Sequence, residues 1–216
     1  MAIKLNHLRK RVQVHFKSLR ILNENLSSSL DILETSSNAT LQKVTIDNIP
    51  TQECWIFENE NGEKELRSDG KKSEATILYM DRKNKKLYII MVELKSTLTI
   101  ENLIHCRDKF KESLSHISVF MLINNHDHEY DDFKIFTVGF ICCQNEAIST
   151  SAQSVTSEIN LVNAFKTYNQ NGDKNFLAEL QTITLGRQYI PIIVKQSLSR
   201  ENSMRIDFVV DVLRNS

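Results

Sequence analysis

The stretch SDGKKSEATILYMDRKNKKLYIIMVELKST, residues 68–97, decides the fold. It holds two apolar runs, residues 74–80 and 87–95, which are separated by the polar sequence D-R-K-N-K-K. Apolar runs of this length on either side of a polar turn predict a β-hairpin. The second run contains L-Y-I-I-M-V, which is apolar at every position, so both of its faces should be buried. The sequence therefore predicts a hairpin whose second strand lies in the middle of a covered sheet.

The segment after this hairpin predicts a crossover to a parallel strand. Thr97 or Thr99 can cap a helix, and the apolar positions that follow recur at helical spacing. Residues 133–143, F-K-I-F-T-V-G-F-I-C-C, read as another buried strand in which Gly139 marks close packing. A strand, a helix of about 20 residues and a strand predict a right-handed crossover and a parallel pair. The apolar helix positions are Ile100, Leu103, Ile104, Phe110, Leu114 and Ile117.

The flanking regions predict further helices and strands. Apolar residues at steps of three and four over residues 4–34 predict a long amphipathic first helix. Residues 41–46 predict a short strand, and residues 54–58 and 64–68 predict a second hairpin around Gly62. Further along, the predicted helices are 155–168 and 173–182, and the predicted strands are 189–195 and 204–213.

These elements together predict an α/β (α+β) fold with a central mixed β-sheet flanked by helices. We expect a core over residues 1–150. Residues 151–216 are expected to form a C-terminal extension, with helices and one or two strands, packed on the same domain.

Composition restricts the class of protein. The 216 residues carry 27 basic and 27 acidic side chains, and 41% of them are hydrophobic, which is typical of a globular protein. No apolar run approaches the roughly 18 residues that a membrane span needs, and residues 1–16 lack the apolar core of a signal peptide. The four cysteines form no C-x-x-C pair, so we expect reduced thiols and a cytoplasmic location without a membrane partner.

Walker, dinucleotide-binding, G-x-S-x-G and H-E-x-x-H motifs do not occur, which disfavours the commonest nucleotide-dependent and hydrolase classes.

Three ionisable side chains mark the open end of the central hairpin. If the turn centres between Lys83 and Asn84, Glu74 lies opposite Glu93, and directly opposed residues point to one face of a sheet. Lys95, two residues beyond Glu93, points to the same face. A slip of one residue would turn Glu74 to the opposite face, so the prediction depends on the register.

Such a set suits phosphodiester hydrolysis. Two neighbouring carboxylates can hold Mg²⁺ or Mn²⁺, which prefer oxygen ligands and retain several waters. A metal-bound water becomes a nucleophile because the metal lowers its pKa. An adjacent lysine can orient that water and neutralise the charge that develops on the attacked phosphate. The residues therefore predict a metal-dependent nuclease centre.

The order helix, hairpin, E-x-K strand, helix and strand resembles the PD-(D/E)XK nuclease superfamily, also called restriction-endonuclease-like. The resemblance covers about residues 5–143 and implies an α-β-β-β-α-β core. It implies that Glu74 and Glu93 are metal ligands for Mg²⁺ or Mn²⁺ and that Lys95 is the catalytic lysine. The first acidic position is usually Asp in this superfamily, so Asp69 remains an alternative to Glu74. The implied activity is a DNA endonuclease, for which a homodimer is a natural expectation.

Several further residues are candidates for the same function. The resemblance allows a glutamate from the first helix, Glu24 or Glu34, and a polar residue from the helix after the E-x-K strand, His105 or Arg107. Six basic and no acidic residues occur among residues 1–20. Residues that could contact a nucleic-acid backbone are Lys10 and Arg11 in this segment and Lys83 and Lys85 at the hairpin tip.

Three other interpretations of the sequence stay open. The E-x-K triplet is a weak signal by itself, and a cross-strand ion pair at a sheet end would explain it without any activity. The chain could also keep the nuclease fold without catalysis and serve as a nucleic-acid-binding or assembly module. A different α+β fold remains the third possibility, and Glu74 and Glu93 would then point to opposite faces.

Overall fold

The computed structural model describes residues 19–21, 28–34, 36–50, 53–58, 72–124, 131–146, 167–168, 174–182, 185–197 and 201–213. Within these segments lie eleven strands, one α-helix and a short π-helical turn. In chain order they are β1 (Leu19–Ile21), β2 (Leu30–Leu33), β3 (Lys43–Asp47), β4 (Cys54–Glu58), β5 (Ala75–Asp81), β6 (Lys86–Leu98), α1 (Ile100–Asn124), β7 (Lys134–Glu146), β8 (Thr167–Tyr168), β9 (Lys174–Thr182), β10 (Gly186–Gln196), β11 (Ser203–Asp207) and the π-helical turn (Phe208–Val212).

The strands form two sheets. The large sheet has the order β1-β4-β5-β6-β7-β10-β9-β8, and the small sheet has the order β11-β3-β2. In the large sheet β7 pairs in parallel with both β6 and β10, and the other neighbours are antiparallel. The predicted mixed α/β class with a central mixed sheet is therefore confirmed.

Strand β6 is buried on both faces, as the sequence predicts. Ile89 and Met91 pack into the core beneath α1. Ile90 and Val92 point to the other face and pack with residues of the small sheet. All four side chains are at most 1% exposed. The alternation of a β-strand thus lets one segment contribute to two cores.

The elements that pack on the two faces of the large sheet differ from those predicted. In the described part of the chain one face is covered by α1 and the other by the small sheet, whereas the sequence predicts helices as the flanking layers. The small sheet can replace a helix because Leu30 and Ile32 alternate with exposed residues and so present one apolar face.

The central hairpin has the predicted register. Ala75 pairs with Val92, and Asp81 pairs with Lys86, on either side of a turn over residues 82–85. The Asn84 amide donates a hydrogen bond to Asp81 Oδ1 at 3.1 Å, which closes the turn. Continuing this register by one residue sets Glu74 opposite Glu93.

Helix α1 connects the two parallel strands β6 and β7. Thr99 Oγ1 accepts a hydrogen bond from the Asn102 amide at 3.1 Å, so Thr99 rather than Thr97 is the N-cap. On the buried face of α1, Phe110 lies directly over Gly139, where an added Cβ would be 2.8 Å from the ring. Gly139 therefore permits close packing of the helix on β7, as predicted.

The long first helix predicted over residues 4–34 is wrong where the structure describes the chain. Leu19–Ile21 is strand β1, and Leu30–Leu33 is strand β2. β2 pairs with β3, and its residues alternate between buried and exposed, which is a period of two rather than 3.6. Residues 1–18 and 22–27 lie outside the described residues.

The second predicted hairpin is present only in its first strand. Residues 54–58 form β4, whose two neighbours in the large sheet are β1 and β5. Residues 64–68 lie outside the described residues. The strand predicted over residues 41–46 is observed as β3.

The C-terminal third contains more strands than predicted. Residues 173–182 were expected to be helical, but Lys174–Thr182 is strand β9, which pairs with β10 over its whole length. Ala178 and Leu180 are buried while Leu177 and Glu179 are exposed, so this segment has a strand period as well. β10 contains the predicted strand 189–195, and residues 204–213 divide into β11 and the π-helical turn. The helix predicted over residues 155–168 is wrong at its end, where Thr167–Tyr168 is strand β8 and pairs with β9, and residues 155–166 lie outside the described residues.

Two expectations about the class of protein can be compared with the structure. All four cysteines are buried free thiols, in agreement with the expected reduced state. Among the described residues no helix is both long and apolar enough to cross a membrane.

Candidate active site

Glu93 lies near the end of the central strand and is wholly buried. It follows the apolar run of β6, and its side chain points to the α1 side of the large sheet, where its exposed fraction is 0%. Its Oε1 accepts hydrogen bonds from Lys95 Nζ at 2.6 Å and from Lys109 Nζ at 2.5 Å. Two ammonium groups therefore balance the charge of one buried carboxylate.

The second oxygen of this carboxylate has a different environment. Among the described residues Glu93 Oε2 is buried and has no hydrogen-bond partner. A buried carboxylate oxygen without a donor costs free energy, so it requires an explanation. Glu93 therefore presents an oxygen that is ready to bind a further cation or donor.

Glu74 brings a second carboxylate to the same place. It immediately precedes β5, and its Oε1 accepts a hydrogen bond from Lys109 Nζ at 3.0 Å. Burial raises the pKa of the Glu74 carboxyl, and the negative charge of Glu93 raises it further, while Lys109 opposes both effects. Glu74 and Glu93 are thus close enough for one ammonium to bond to both, as the predicted register requires.

Lys109 is the residue that the sequence analysis missed. It extends from α1 toward the end of the sheet, and its side chain is 17% exposed. Burial works against its charged form, but Glu93 and Glu74 outweigh burial and hold the pKa of Lys109 above its ordinary value. Lys109 is therefore a fixed cation between the two carboxylates.

A helical pattern could have indicated Lys109. It lies three residues after Cys106 and four before Ser113, and both of those residues are buried. A lysine among buried positions of a helix is stable only if an anion pairs with it. Here the helix covers the E-x-K strand, and the anion is the carboxylate of Glu93.

A cluster of hydroxyl groups fixes the start of β5 against α1. Ser113 Oγ accepts a hydrogen bond from the Ser73 amide at 2.9 Å and lies 2.8 Å from Ser73 Oγ. Ser73 Oγ also lies 3.3 Å from Thr76 Oγ1. Because Ser73 precedes Glu74 directly, these contacts hold the Glu74 backbone next to the helix that carries Lys109.

A cavity opens beside the site. It has a volume of about 640 Å³ and is lined by residues of α1 together with Lys95. Lys95 and Lys109 reach both the cavity and Glu93, so a molecule in the cavity would meet two cations next to a buried anion. The lining residues are Lys95, Asn102, His105, Asp108, Lys109, Lys111 and Glu112.

The carboxylates fit a hard divalent cation. Mg²⁺ is commonly bound through one or two protein carboxylates while it retains several waters, and Glu74 and Glu93 with its free oxygen offer this donor set. Within the described residues no group of three or more His, Cys, Asp or Glu side chains could hold a metal. A zinc site with three or four nitrogen and sulfur ligands is therefore not what these residues offer.

The remaining candidates from the sequence lie at different places. His105 lines the cavity, and its Nε2 is 3.7 Å from Glu101 Oε1. Arg107 donates hydrogen bonds to its neighbour Asp108 and does not line the cavity. Glu34 directly follows β2 of the small sheet, and its charge is the smallest of the named causes that act on the pKa of Glu74. Asp69 and Glu24 lie outside the described residues.

The basic candidates are separated from the carboxylates. Lys83 and Lys85 are exposed in the turn of the central hairpin, and Lys85 Nζ forms an ion pair with Asp132 Oδ2 at 3.2 Å. This turn precedes the first residue of β6, and Lys85 is eight residues before Glu93, roughly 26 Å away at about 3.3 Å per residue. Lys10 and Arg11 lie outside the described residues.

Comparison with protein-family models, with curated proteins and with solved structures finds no match to this chain.

Proposed function

We propose that the protein is a metal-dependent nuclease that hydrolyses phosphodiester bonds, with DNA as the favoured substrate and endonucleolytic cleavage as the favoured reaction. The observation that carries the proposal is the buried carboxylate of Glu93. It has one oxygen without a hydrogen-bond partner among the described residues, lies beside a second carboxylate and bonds to two lysines that line a cavity. An ordinary surface ion pair would not require a fully buried anion.

The order of elements supports the same proposal. In chain order β4, β5, β6, α1 and β7 form a β-β-β-α-β run, and these four strands are consecutive neighbours in the large sheet. This run is the part of the proposed PD-(D/E)XK core that follows its first helix. The E-x-K triplet lies in the third strand of the run, as the resemblance implies, and the strand continues past it to Leu98.

In this proposal Glu74 and Glu93 hold Mg²⁺ or Mn²⁺. The bound cation supplies an activated water and neutralises negative charge on the attacked phosphate. Lys95 borders the cavity and bonds to Glu93, so its ammonium can contact the phosphate or orient the water. Burial of Glu93 strengthens each of these electrostatic interactions because little water screens them.

The substrate class follows from the charges around the cavity and from analogy. Lys95, Lys109 and Lys111 line the cavity and provide cations for a phosphate backbone. The preference for DNA over RNA rests on the resemblance to the superfamily. A homodimer that cuts both strands and a cytoplasmic location, which suits four reduced cysteines, belong to the same proposal.

A second function is favoured by one specific observation. Lys109 bonds to both carboxylates, so it already neutralises the pair without a metal. A nuclease-fold protein that has lost catalysis could keep such an arrangement as a structural ion cluster and act as a nucleic-acid-binding or assembly module.

Cleavage assays distinguish these functions. Plasmid DNA, single-stranded DNA and RNA are incubated with the protein and Mg²⁺ or Mn²⁺, and the wild type is compared with Lys95→Ala and Glu93→Gln. Arg205→Ala is the matched control, since it also removes one cation of an ion pair but lies in the small sheet. We expect metal-dependent cleavage by the wild type and the control, and a loss of at least about 100-fold in both site variants.

Two other results of these assays would contradict the proposed nuclease site. Cleavage that persists in both site variants would indicate a contaminating nuclease or another site. Nucleic-acid binding without cleavage by the wild type would support the binding module instead.

A further inference from the structure

Resting on the metal-dependent function proposed above, we propose that Lys109 is an internal competitor of the metal. Its ammonium occupies the place between Glu74 and Glu93 in the metal-free protein, and it must turn into the neighbouring cavity before a divalent cation can bind there.

The contacts of Lys109 support competition rather than cooperation with a metal. Its Nζ lies 3.0 Å from Glu74 Oε1 and 2.5 Å from Glu93 Oε1. A cation shared by these two carboxylates would lie within a few ångströms of this ammonium, whichever oxygen of Glu93 it takes. Two cations so close together repel each other strongly in a partly buried site. The ammonium and the metal therefore exclude each other.

Lys95 differs from Lys109 in this respect. It bonds to Glu93 but not to Glu74, and it follows Glu93 on the same strand. A metal held between the two carboxylates leaves Lys95 at the border of the cavity. Competition is thus a property of Lys109.

The cavity gives Lys109 a place to move to. Lys109 lines it together with Glu112, which is three residues further along α1. Side chains at this spacing on a helix are neighbours, so Glu112 can accept the displaced ammonium. The four-carbon stem of lysine is flexible, and the movement needs no shift of the helix.

Competition also explains how the site persists without a metal. A buried carboxylate next to a second carboxylate is unstable unless a cation compensates both charges. Lys109 supplies this compensation, and as a consequence the metal must bind strongly enough to displace it. The affinity of the wild type for metal is lowered by this exchange.

The test measures Mn²⁺ affinity by isothermal titration calorimetry, without substrate and without a measurement of activity. Lys109→Met removes the ammonium and keeps most of the side chain, while Lys109→Arg keeps a cation at the same position. We expect Lys109→Met to bind Mn²⁺ about tenfold tighter than the wild type or better, and Lys109→Arg to bind no tighter than the wild type. Circular dichroism confirms folding, and Lys109→Gln replaces Lys109→Met if the latter does not fold.

A second measurement uses the wild type alone. In protein labelled at the lysine side chains, the Lys109 resonance should shift on titration with Mg²⁺ as its ammonium leaves the carboxylates. A Lys109 resonance that does not change while Mg²⁺ binds would contradict the competition.

The outcomes separate this inference from the proposed function. If the wild type binds Mn²⁺ and Lys109→Met binds it equally or more weakly, the competition is wrong and the metal site remains. If neither binds, the metal site itself is wrong, and the inference is lost with it. Binding by Lys109→Met but not by the wild type would support the competition in its strongest form.

Discussion

The charge of Glu93 is the main electrostatic feature of the molecule at the scale of single residues. This side chain is fully buried and is balanced by two ammonium groups at 2.6 and 2.5 Å. Burying a charge is costly unless it is paired, and the loss of one member leaves the others uncompensated. The residue thus contributes to stability through two ion pairs, and its other oxygen has no hydrogen-bond partner among the described residues.

Glu93→Gln should therefore destabilise the protein by about 2 kcal/mol, because two lysines lose their common anion while the shape of the side chain is kept. Urea unfolding in the absence of divalent metals measures this change. Glu101→Gln is the matched control because its carboxylate is 85% exposed, and its effect should stay within about 0.5 kcal/mol. Equal stability of Glu93→Gln and the control would contradict the importance of the buried charge.

Glu74 connects stability to pH. Burial, and next the charge of Glu93, raise the pKa of Glu74 in the folded protein above its ordinary value of 4.5. Between these two pKa values the folded state binds more protons than the unfolded state. The contribution of Glu74 to stability is therefore fully present below pH 4.5 and is lost as the pH rises through the folded-state pKa.

Glu74→Gln lacks this ionisation and should gain stability relative to the wild type as the pH rises. The expected result is a difference in unfolding free energy, variant minus wild type, that increases from pH 4 to pH 7. Urea unfolding at several pH values in the presence of EDTA measures it. A difference in unfolding free energy that stays constant or decreases from pH 4 to pH 7 would contradict a raised pKa of Glu74 in the folded protein.

At the scale of elements the contact between α1 and β7 matters most for the site, because α1 carries Lys109. The ring of Phe110 lies over Gly139, and a Cβ at this position would be 2.8 Å from the ring. The helix cannot keep its distance from the sheet if Gly139 acquires a side chain.

Gly139→Ala should cost about 2 kcal/mol of stability because it overpacks a well-packed contact. Thermal and urea unfolding measure the cost. Adding Phe110→Leu makes room for the methyl group, so the double variant should be less destabilised than the sum of the two single variants. Additive effects would show that the two residues do not meet.

At the scale of the whole molecule the two cores are joined through the large sheet. The side chains of β6 enter the core beneath α1 and the core beside the small sheet alternately. Trp55, the single tryptophan of the chain, belongs to the core beneath α1, and Ile206 of β11 belongs to the other core. We therefore expect the cores to unfold together.

Ile206→Ala should lower the stability reported by Trp55 fluorescence by about 3 kcal/mol, although the two residues belong to different cores. Far-UV circular dichroism should give the same transition. The control Arg205→Ala changes the neighbouring residue, which is 78% exposed, and should have little effect. A shift of the circular dichroism transition without a shift in fluorescence would indicate independent cores.

Local pairing explains the part of this architecture that could be predicted from the sequence. A short polar turn joins β5 and β6, so the register depends on residues close in the chain, and the observed pairing of Ala75 with Val92 follows the predicted one. The apolar run of β6 and a helix cap at Thr97 or Thr99 likewise follow from patterns within single segments, and the order strand, helix, strand predicts the parallel pairing of β7. Glu74, Glu93 and Lys95 could be grouped before the fold was known for the same reason.

Several segments were assigned the wrong secondary structure because pairing with a neighbouring strand overrides an apolar spacing that is compatible with a helix. Leu30–Leu33 pairs with β3, and Lys174–Thr182 pairs with β10. Apolar residues in these segments are compatible with helical spacing over a long window, and the strand form is selected by the neighbour that supplies hydrogen bonds to the backbone.

The sequence by itself indicated the central hairpin and the crossover helix, and it grouped Glu74, Glu93 and Lys95 on the supposition that the turn centres between Lys83 and Asn84. Only the tertiary structure decided that Lys109 lies between Glu74 and Glu93, that one oxygen of Glu93 is left free and that a second sheet covers the far face. The physical reason is that these features depend on how α1 and the small sheet pack on the large sheet. Packing between elements far apart in the chain has no signature in the spacing of residues within any one of them.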